Sequence, residues 1–389
     1  MSTVRIAAAA AHFGRDLEFD LARIAKLIDD ARRSGAGLLV LPDAALGGYL
    51  ADLRHPDPEA LPPALKPDDP LILRVARLAA EMVVCVGYCE DGGDERYNSA
   101  VCVSGDGVLG RHRKVHLPAG EVAAYAPGDR FAAFDTPVGR LGMLIDYDKT
   151  FPESARSLAL DGAEILACLS AWPTSITNRA PRMAQDRQAK LFDLYDQARA
   201  AENQVVLASS NQTGAMGGMR FLGQSKVVGP GGDILARTWA KAGLAVAEVD
   251  VAAELDRARR VLRHLDERRP DAYRETGWAS GDGPAYGKPE PAADGSPAHR
   301  DPGPAASGGP PYRKPEPAAD GGHAHREPGP AADGSPAHRD PAPAANGGPA
   351  RREPGPASGA PEPYETAERR IPVYQETGEI PAQSRKIPS

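Results

Sequence analysis

The sequence predicts an α/β fold over residues 1–275, followed by a low-complexity segment, 276–389. Three observations carry this. Strand-length apolar runs alternate with longer stretches of helical period, beginning with Val4–Ala11, Asp16–Arg33 and Leu38–Pro42. The runs at 38–41 and 141–145 are apolar throughout, as buried strands are. Beyond about Thr276 the composition turns to Pro, Gly, Ala and charge, which cannot bury a core.

Composition excludes several function classes. The net charge is -7, and no basic stripe with interleaved aromatics marks a nucleic-acid surface. The longest apolar runs are far short of a membrane span. Met1-Ser2-Thr3-Val4-Arg5-Ile6 passes straight into a strand, with no apolar signal region or cleavage site. Cys85, Cys89, Cys102 and Cys168 sit in or beside apolar strand-like runs and read as buried thiols of a cytoplasmic protein. Cys85 and Cys89 suggest half of a zinc site, but no second pair has ligand spacing, so neither metal nor cofactor is expected.

In chain order, the helix Asp16–Arg33 places Leu17, Leu21, Ile24, Ala25 and Ile28 on one face. Gly35-Ala36-Gly37 stops it, and the strand Leu38–Pro42 ends at the carboxylate of Asp43. A carboxylate there is ordinarily a cap or turn former. Residues 51–69 read as a surface loop, Pro70–Met82 as a helix and Val83–Tyr88 as a strand. Arg96–Val103 and Val108–Arg113 pair about a Gly105-Asp106-Gly107 turn and lead to Lys114. Phe131–Phe134 and Gly139–Ile145 are two further strands.

The chemistry is arranged around Gly139–Glu153. The run Leu141–Ile145 ends at Asp146, and Phe151-Pro152-Glu153 opens a helix. A side chain at the end of a buried strand, just before a helix, is rigidly held and faces a cleft, a good place for a nucleophile. Ala155–Asp161 is helical, Ile165–Leu169 is a strand, and Ser170-Ala171-Trp172-Pro173 follows. Arg182–Ala201 reads as a long helix with Leu191, Leu194, Tyr195 and Ala198 at helical spacing. Val205–Ser209 and Ala245–Val249 are strands, and Asp250–Arg260 is a helix.

The elbow Gly139–Glu153 resembles that of the nitrilase, or carbon–nitrogen hydrolase, superfamily, which reads roughly G-x-x-I-C-Y-D-x-x-F-P-E with a nucleophilic Cys. Here that position holds Asp146, followed by Tyr147 and Asp148. Leu41-Pro42-Asp43, with Gly48-Tyr49, resembles the P-E-x-x-x-x-G-Y segment whose Glu is the general base. Arg113–Pro118 resembles Y-R-K-x-H-L, which carries the lysine, here Lys114; Glu121 matches a second glutamate. Ser170–Pro173, Arg199–Asn203, Phe221–Ala236 and Arg268–Tyr273 resemble further family blocks, so the likeness runs from residue 4 to about 274. It implies a four-layer α-β-β-α sandwich, a homo-oligomer, and a pocket for a small amide- or nitrile-type compound. Asp43, Lys114, Glu121 and Asp146 would take the catalytic positions, and Tyr49, Tyr147 and Trp172 would line the pocket.

Family members form a thioester with an amide or nitrile. A carboxylate at 146 attacks an unactivated amide poorly, because it leaves the tetrahedral intermediate more readily than the amine does. Cys168, inside a strand, is a poor substitute. Three readings stay open. The chain is a degenerate member serving as a binding or scaffold subunit. Alternatively, it uses Asp43 and Asp146 for acid–base chemistry without an acyl-enzyme. A hard-cation site of Asp43, Asp146 and Glu121 is the third, with Lys114 in their midst against it.

In the tail, Pro-Ala-Ala or a close variant begins at Pro291, Pro304, Pro317, Pro330, Pro343 and Pro356. Such a repeat has no core to bury and is expected to be disordered and partly polyproline-like. His299, His323, His325 and His338 read as part of a spacer rather than a metal site, and Tyr312, Tyr364 and Tyr374 are candidate contacts for a protein partner.

Overall fold

The computed structural model describes residues 3–273. The repeats, the tail histidines and the tail tyrosines lie outside the described residues. In order the elements are β1 (Val4–Ala11), α1 (Leu17–Arg33), β2 (Leu38–Val40), β3 (Ala64–Leu65), α2 (Pro70–Ala79), β4 (Val83–Asp91), β5 (Arg96–Ser104) and β6 (Gly107–Arg113). They continue as α3 (Glu121–Ala124), β7 (Ala133–Thr136), β8 (Gly139–Ile145), α4 (Pro152–Leu160), β9 (Ile165–Ser170), α5 (Arg187–Asn203) and β10 (Val206–Gln212). A short hairpin, β11 (Ala215–Met216) and β12 (Met219–Arg220), precedes β13 (Lys226–Val228), β14 (Ile234–Arg237), β15 (Gly243–Val249) and α6 (Val251–Arg259).

One sheet runs in the order β6-β5-β4-β2-β1-β10-β9-β8-β7 and is folded over at β1 and β10. These two strands share only Ala10↔Asn211 and Ala11↔Gln212. They then diverge, and each takes another partner: β15 runs antiparallel to β1, and β13 antiparallel to β10. The two halves face each other across a core of Ile6, Val40, Cys85 and Cys102 from one side and Met143, Ile145, Ala167 and Val206 from the other. Outside, α1 and α2 cover one half through Ile24, Ile28, Ile72 and Val75. On the other half, α4 and α5 pack through Leu158 and Ala200. This is the expected α-β-β-α order of layers. The alternation in β1 shows how the sequence builds it: Ala7, Ala9 and Ala11 face the helices, while Ile6 and Ala8 face the opposite half-sheet.

Helix ends follow capping chemistry. Asp16 accepts from the N–H groups of Glu18 and Phe19, and Asp69 accepts from Leu71 ahead of a helix with Pro70 in its first turn. Among the described residues, no helix is long and apolar enough to cross a membrane.

Several boundaries differ from expectation, three of them instructively. The 51–69 stretch is not only loop, since Ala64–Leu65 pairs with Cys89–Glu90. Strand β7 begins at Ala133 rather than Phe131, because the Phe131 ring packs beside His112 and His116, with centroids 5.3 and 6.0 Å away. Helix α5 starts at Arg187, not Arg182: Asp186 caps it by accepting the Gln188 N–H.

The face that α5 buries also differs. Phe192, Asp196, Arg199, Ala200 and Asn203 are buried, while Leu194 is 57% exposed. The buried charges have partners. Asp196 binds Lys149 Nζ at 2.8 Å and Lys226 Nζ at 2.6 Å, and both ammonium groups lie over the Phe192 ring. Burial pushes the Asp196 carboxyl up, but the two ammonium charges outweigh it and hold its pKa below the ordinary value. Arg199 donates to the carbonyls of Lys149 and Thr150 at 2.8 and 2.9 Å. Helix α5 therefore grips the turn that follows β8. Asp196→Ala strands the buried Lys149 ammonium, leaves Lys226 only Asp193 at 3.2 Å, and is expected to destabilise the domain by about 3–5 kcal/mol. Urea unfolding measures this, and a loss within error of zero would show that the cluster contributes nothing net.

Candidate functional site

The site lies beyond the carboxyl ends of the parallel strands β2, β8, β9 and β10, where both half-sheets feed side chains to one point. Asp43 follows β2 and is fully buried. Its turn rests directly on β4: a Cβ at Gly87 would fall 2.5 Å from Ala44 N and 2.9 Å from Asp43 Cα, so only glycine fits. Asn98 Nδ2 donates to Asp43 Oδ2 at 3.1 Å, and Gln212 Nε2 donates to the Asp43 carbonyl at 2.8 Å. Asp43 Oδ1 has no hydrogen-bond partner.

Lys114 leaves β6 with its N–H on the Asn98 carbonyl at 2.8 Å and its own carbonyl taken by the Gly128 N–H at 2.8 Å. Its ammonium lies 2.8 Å from Glu121 Oε2 and 3.6 Å from Asp146 Oδ2. Glu121, the first residue of α3, also accepts the Tyr49 hydroxyl. The Tyr49 ring meets Phe221 edge-on, at 6.2 Å between centroids.

Asp146 stands at the sharp turn after β8 with φ of 48°, a left-handed conformation rare for a residue with a Cβ. Its Oδ1 accepts the Ala171 N–H at 3.1 Å. Asp148 anchors the turn from below. It accepts from the N–H groups of Ile145, Val115 and His116 and lies 3.0 Å from both His112 Nε2 and His116 Nδ1. Burial alone would raise the Asp148 pKa, but the histidine and N–H contacts hold it far below the ordinary carboxylate range. The clamp ties the Lys114 segment to the Asp146 turn.

The structure therefore brings Asp43, Tyr49, Lys114, Glu121 and Asp146 together. Tyr147 and Trp172 lie instead in an aromatic cluster beside the turn. Tyr147 packs against Phe151, and Trp172 sits against Phe192 and Tyr195, its ring N–H donating to Gln188 Oε1 at 3.0 Å. The Trp172 backbone N–H bonds Asn211 Oδ1 at 2.8 Å, which fixes the 170–173 segment over the site. Asp148 stands in the elbow motif, but the groups it clamps, like the contacts of Asn98 and the Ala171 N–H, are set by residues distant in the chain and could not be read from the sequence.

Electrostatics set the protonation states. Burial, reinforced by Asp146 and Glu121 and opposed by Lys114, pushes the Asp43 carboxyl up to about 8. Burial also raises Glu121, against the pull of Lys114. Lys114 itself is held above its ordinary value: burial works against the charge, but Glu121, Asp146 and Asp43 outweigh it. Among the described residues, no group of three or more His, Cys, Asp or Glu could hold a metal ion.

No cysteine reaches this centre as a nucleophile. Cys168 is buried within β9 with its thiol pushed up to about 12, and Cys89 is pushed up to about 11, by burial in both cases.

Comparison with known proteins agrees with this architecture. The carbon-nitrogen hydrolase family profile matches residues 5–258. An N-carbamoylputrescine amidase from Arabidopsis thaliana is 30% identical over 276 residues, covering 67% of this chain and 90% of its own length. A nitrilase from Pyrococcus abyssi is 32% identical over 229 residues, covering 58% of this chain and 81% of its own. Among solved structures, a carbon-nitrogen hydrolase from Helicobacter pylori G27 superposes with a TM-score of 0.61 at 26% identity, over 70% of this chain and 97% of that one. A mutant amidase from Nesterenkonia sp. AN1, with the acetamide moiety of fluoroacetamide added covalently at its active site cysteine, gives 0.55 at 25% identity, over 69% and 94%. With its layers, its strand-end site and its profile match in agreement, the chain belongs to the carbon-nitrogen hydrolase family.

Proposed function

We propose that this carbon–nitrogen hydrolase homologue binds or acts on a small amide- or nitrile-type compound at Asp43, Lys114 and Asp146, without cysteine thioester chemistry. One observation carries the proposal: the group facing Lys114 across the strand-end turn is the carboxylate of Asp146, not a thiol. A carboxylate adding to an amide carbonyl is expelled again in preference to the amine, so an acyl-enzyme does not accumulate. Asp43, protonated below about pH 8, can deliver a proton to a carbonyl oxygen or nitrile nitrogen and take one back. Lys114 supplies a fixed positive charge beside it.

A second reading, a silent binding subunit, is favoured by a separate contact. The Asp146 carboxylate takes the Ala171 N–H and lies near Lys114, two donors that an acyl oxygen would otherwise use.

Mass spectrometry of the intact protein after incubation with a mixed panel of amides and nitriles tests the absence of thioester chemistry. The native chain is expected to show no adduct, and Asp146→Cys combined with Asp43→Glu is expected to accumulate one. An acyl adduct on the native chain would sink the proposal. Steady-state turnover lost in Lys114→Ala would decide for the acid–base reading over the silent subunit.

The Asp43 titration gives an independent check. Its folded pKa of about 8 lies above the unfolded carboxyl value of roughly 3.9. The stability it contributes is therefore complete below the lower value and lost as pH rises through the upper one. Asp43→Asn removes that loss, so the variant should gain on the native protein from about pH 5 to about pH 8, by up to about 1.4 kcal/mol per pH unit. Urea unfolding across that range reads it. Parallel stability curves would mean that Asp43 ionises as an ordinary carboxyl.

A further inference from the structure

We infer that Cys85 and Cys102 are a modification site, where a peroxide joins the two thiols in a reversible disulfide that fixes β4 to β5 behind Asp43. The inference concerns the scaffold of the site and is independent of the chemistry proposed for it.

Register brings the two residues together. Cys85 and Cys102 are direct partners on the antiparallel strands β4 and β5, and both face the core between the half-sheets. The Cys85 carbonyl accepts the Leu41 N–H, on the side away from β5. A strand residue aims its N–H and C=O at the same neighbour, so Cys85 makes no ladder bond to β5. Cys85 and Cys102 are therefore a non-hydrogen-bonded pair, the kind whose Cα atoms approach to about 4.5 Å. A disulfide needs roughly 4.4–6.8 Å between Cα atoms, so the bridge requires no strand to shift. The thiols are in contact: the Cys85 thiol is pushed well up by its hydrogen bond with Cys102, and further by burial.

The other two thiols are placed elsewhere. Cys89 packs in the cluster of Tyr49 and Tyr125, with Arg96 Nη1 at 3.9 Å from its sulfur. Cys168 lies in the core under α4 and α5, 3.7 Å from Ser170 Oγ. Of the four cysteines, Cys85 and Cys102 are the pair that the register sets face to face.

Access comes from the edge of the sheet. Both thiols are wholly buried, and the raised Cys85 thiol is inert while the sheet is closed. Strand β6 ends its half-sheet, and its pairing with β5 slips register between Cys102 and Val103. A ladder interrupted at an edge strand opens locally at lower cost than a central one. Opening at that break uncovers Cys102 first.

The Cys102 sulfur attacks one oxygen of hydrogen peroxide and becomes a sulfenic acid, while the other oxygen leaves as water. The Cys85 sulfur displaces the new hydroxyl as a second water, and the S–S bond forms. The two sulfurs lose two electrons and the peroxide gains them. The bridge bears on the site through near neighbours. Gly87, two residues past Cys85, supports the Asp43 turn, and Asn98, four before Cys102, donates to Asp43.

The test treats the folded full chain with hydrogen peroxide and counts thiols afterwards in denaturant. Two of the four are expected to be lost, the intact mass to fall by two hydrogens, and a peptide map to join Cys85 to Cys102. A dithiol reductant should restore all four. Cys85→Ala and Cys102→Ala, each checked for folding by circular dichroism, should form no disulfide. The oxidised native chain should unfold at higher urea than the reduced one, because the bridge restricts the unfolded chain. Survival of all four thiols in the native chain would overturn the inference, and so would a bridge through Cys89 or Cys168. Sulfinic or sulfonic acid at Cys85 or Cys102 in place of the bridge would overturn it too, as would an unchanged urea midpoint.

Discussion

A fully buried ammonium, Lys114, dictates the arrangement around it. Stripped of water, such a charge persists only if carboxylates approach it closely. Glu121 does so at 2.8 Å and Asp146 at 3.6 Å. These groups come from a helix start, a post-strand turn and the segment after β6, so neutralising one charge ties three parts of the chain together. Tyr49 adds a fourth through its hydroxyl on Glu121. Asp43 completes the set from the end of β2, in the same half-sheet as β6, and its carboxyl is driven towards the neutral form first by burial and then by Asp146 and Glu121, against the pull of Lys114.

The turn carrying Asp146 needs support of its own. A non-glycine residue at a φ of 48° is strained and stays there only when its surroundings over-determine it. On one side Asp148 collects three backbone N–H groups and two imidazoles. On the other, Arg199 holds the carbonyls of Lys149 and Thr150, and Asp196 holds the Lys149 ammonium. The buried charges of α5 thus do for the turn what an apolar helix face could not, because an apolar contact does not fix the direction of a backbone carbonyl.

How much of this was legible in the sequence follows from the range of each interaction. The strands at 4–11, 38–40 and 141–145 announce themselves because a strand covered on both faces is apolar along its length. The central positions Asp43, Lys114, Glu121 and Asp146 were legible through flanking motifs, and the fold does bring them into one cluster. The face of α5 was not. Leu191, Leu194 and Tyr195 have the right spacing, but the face buried is that of Phe192, Asp196 and Arg199, whose partners Lys149 and Lys226 lie 47 and 30 residues away. The pairing of Asn98 with Asp43 spans 55 residues and depends on the register between β4 and β5. The start of α5 was missed although Asp186 is a good cap, because Met183–Gln185 is itself a helical turn that masks the boundary.

On the proposed reading, in which Asp146 and Asp43 hold the family's cysteine and glutamate positions, the two aspartates act as one change rather than two. Relative to the family pattern, a carboxylate at 146 reaches about one bond further than a thiol, and an aspartate at 43 about one bond less than a glutamate. Total reach across the pocket is therefore nearly kept, consistent with the burial of both side chains. The chemistry is not kept, since on that reading a carboxylate stands where the family has a thiol. The fold answers in two ways. Asp146 is given the Ala171 N–H and the flank of Lys114, while Asp43 is left fully buried with a single side-chain donor, and burial favours its proton. The site thus gives two like groups different surroundings, and burial leaves Asp43 able to offer a proton near neutral pH.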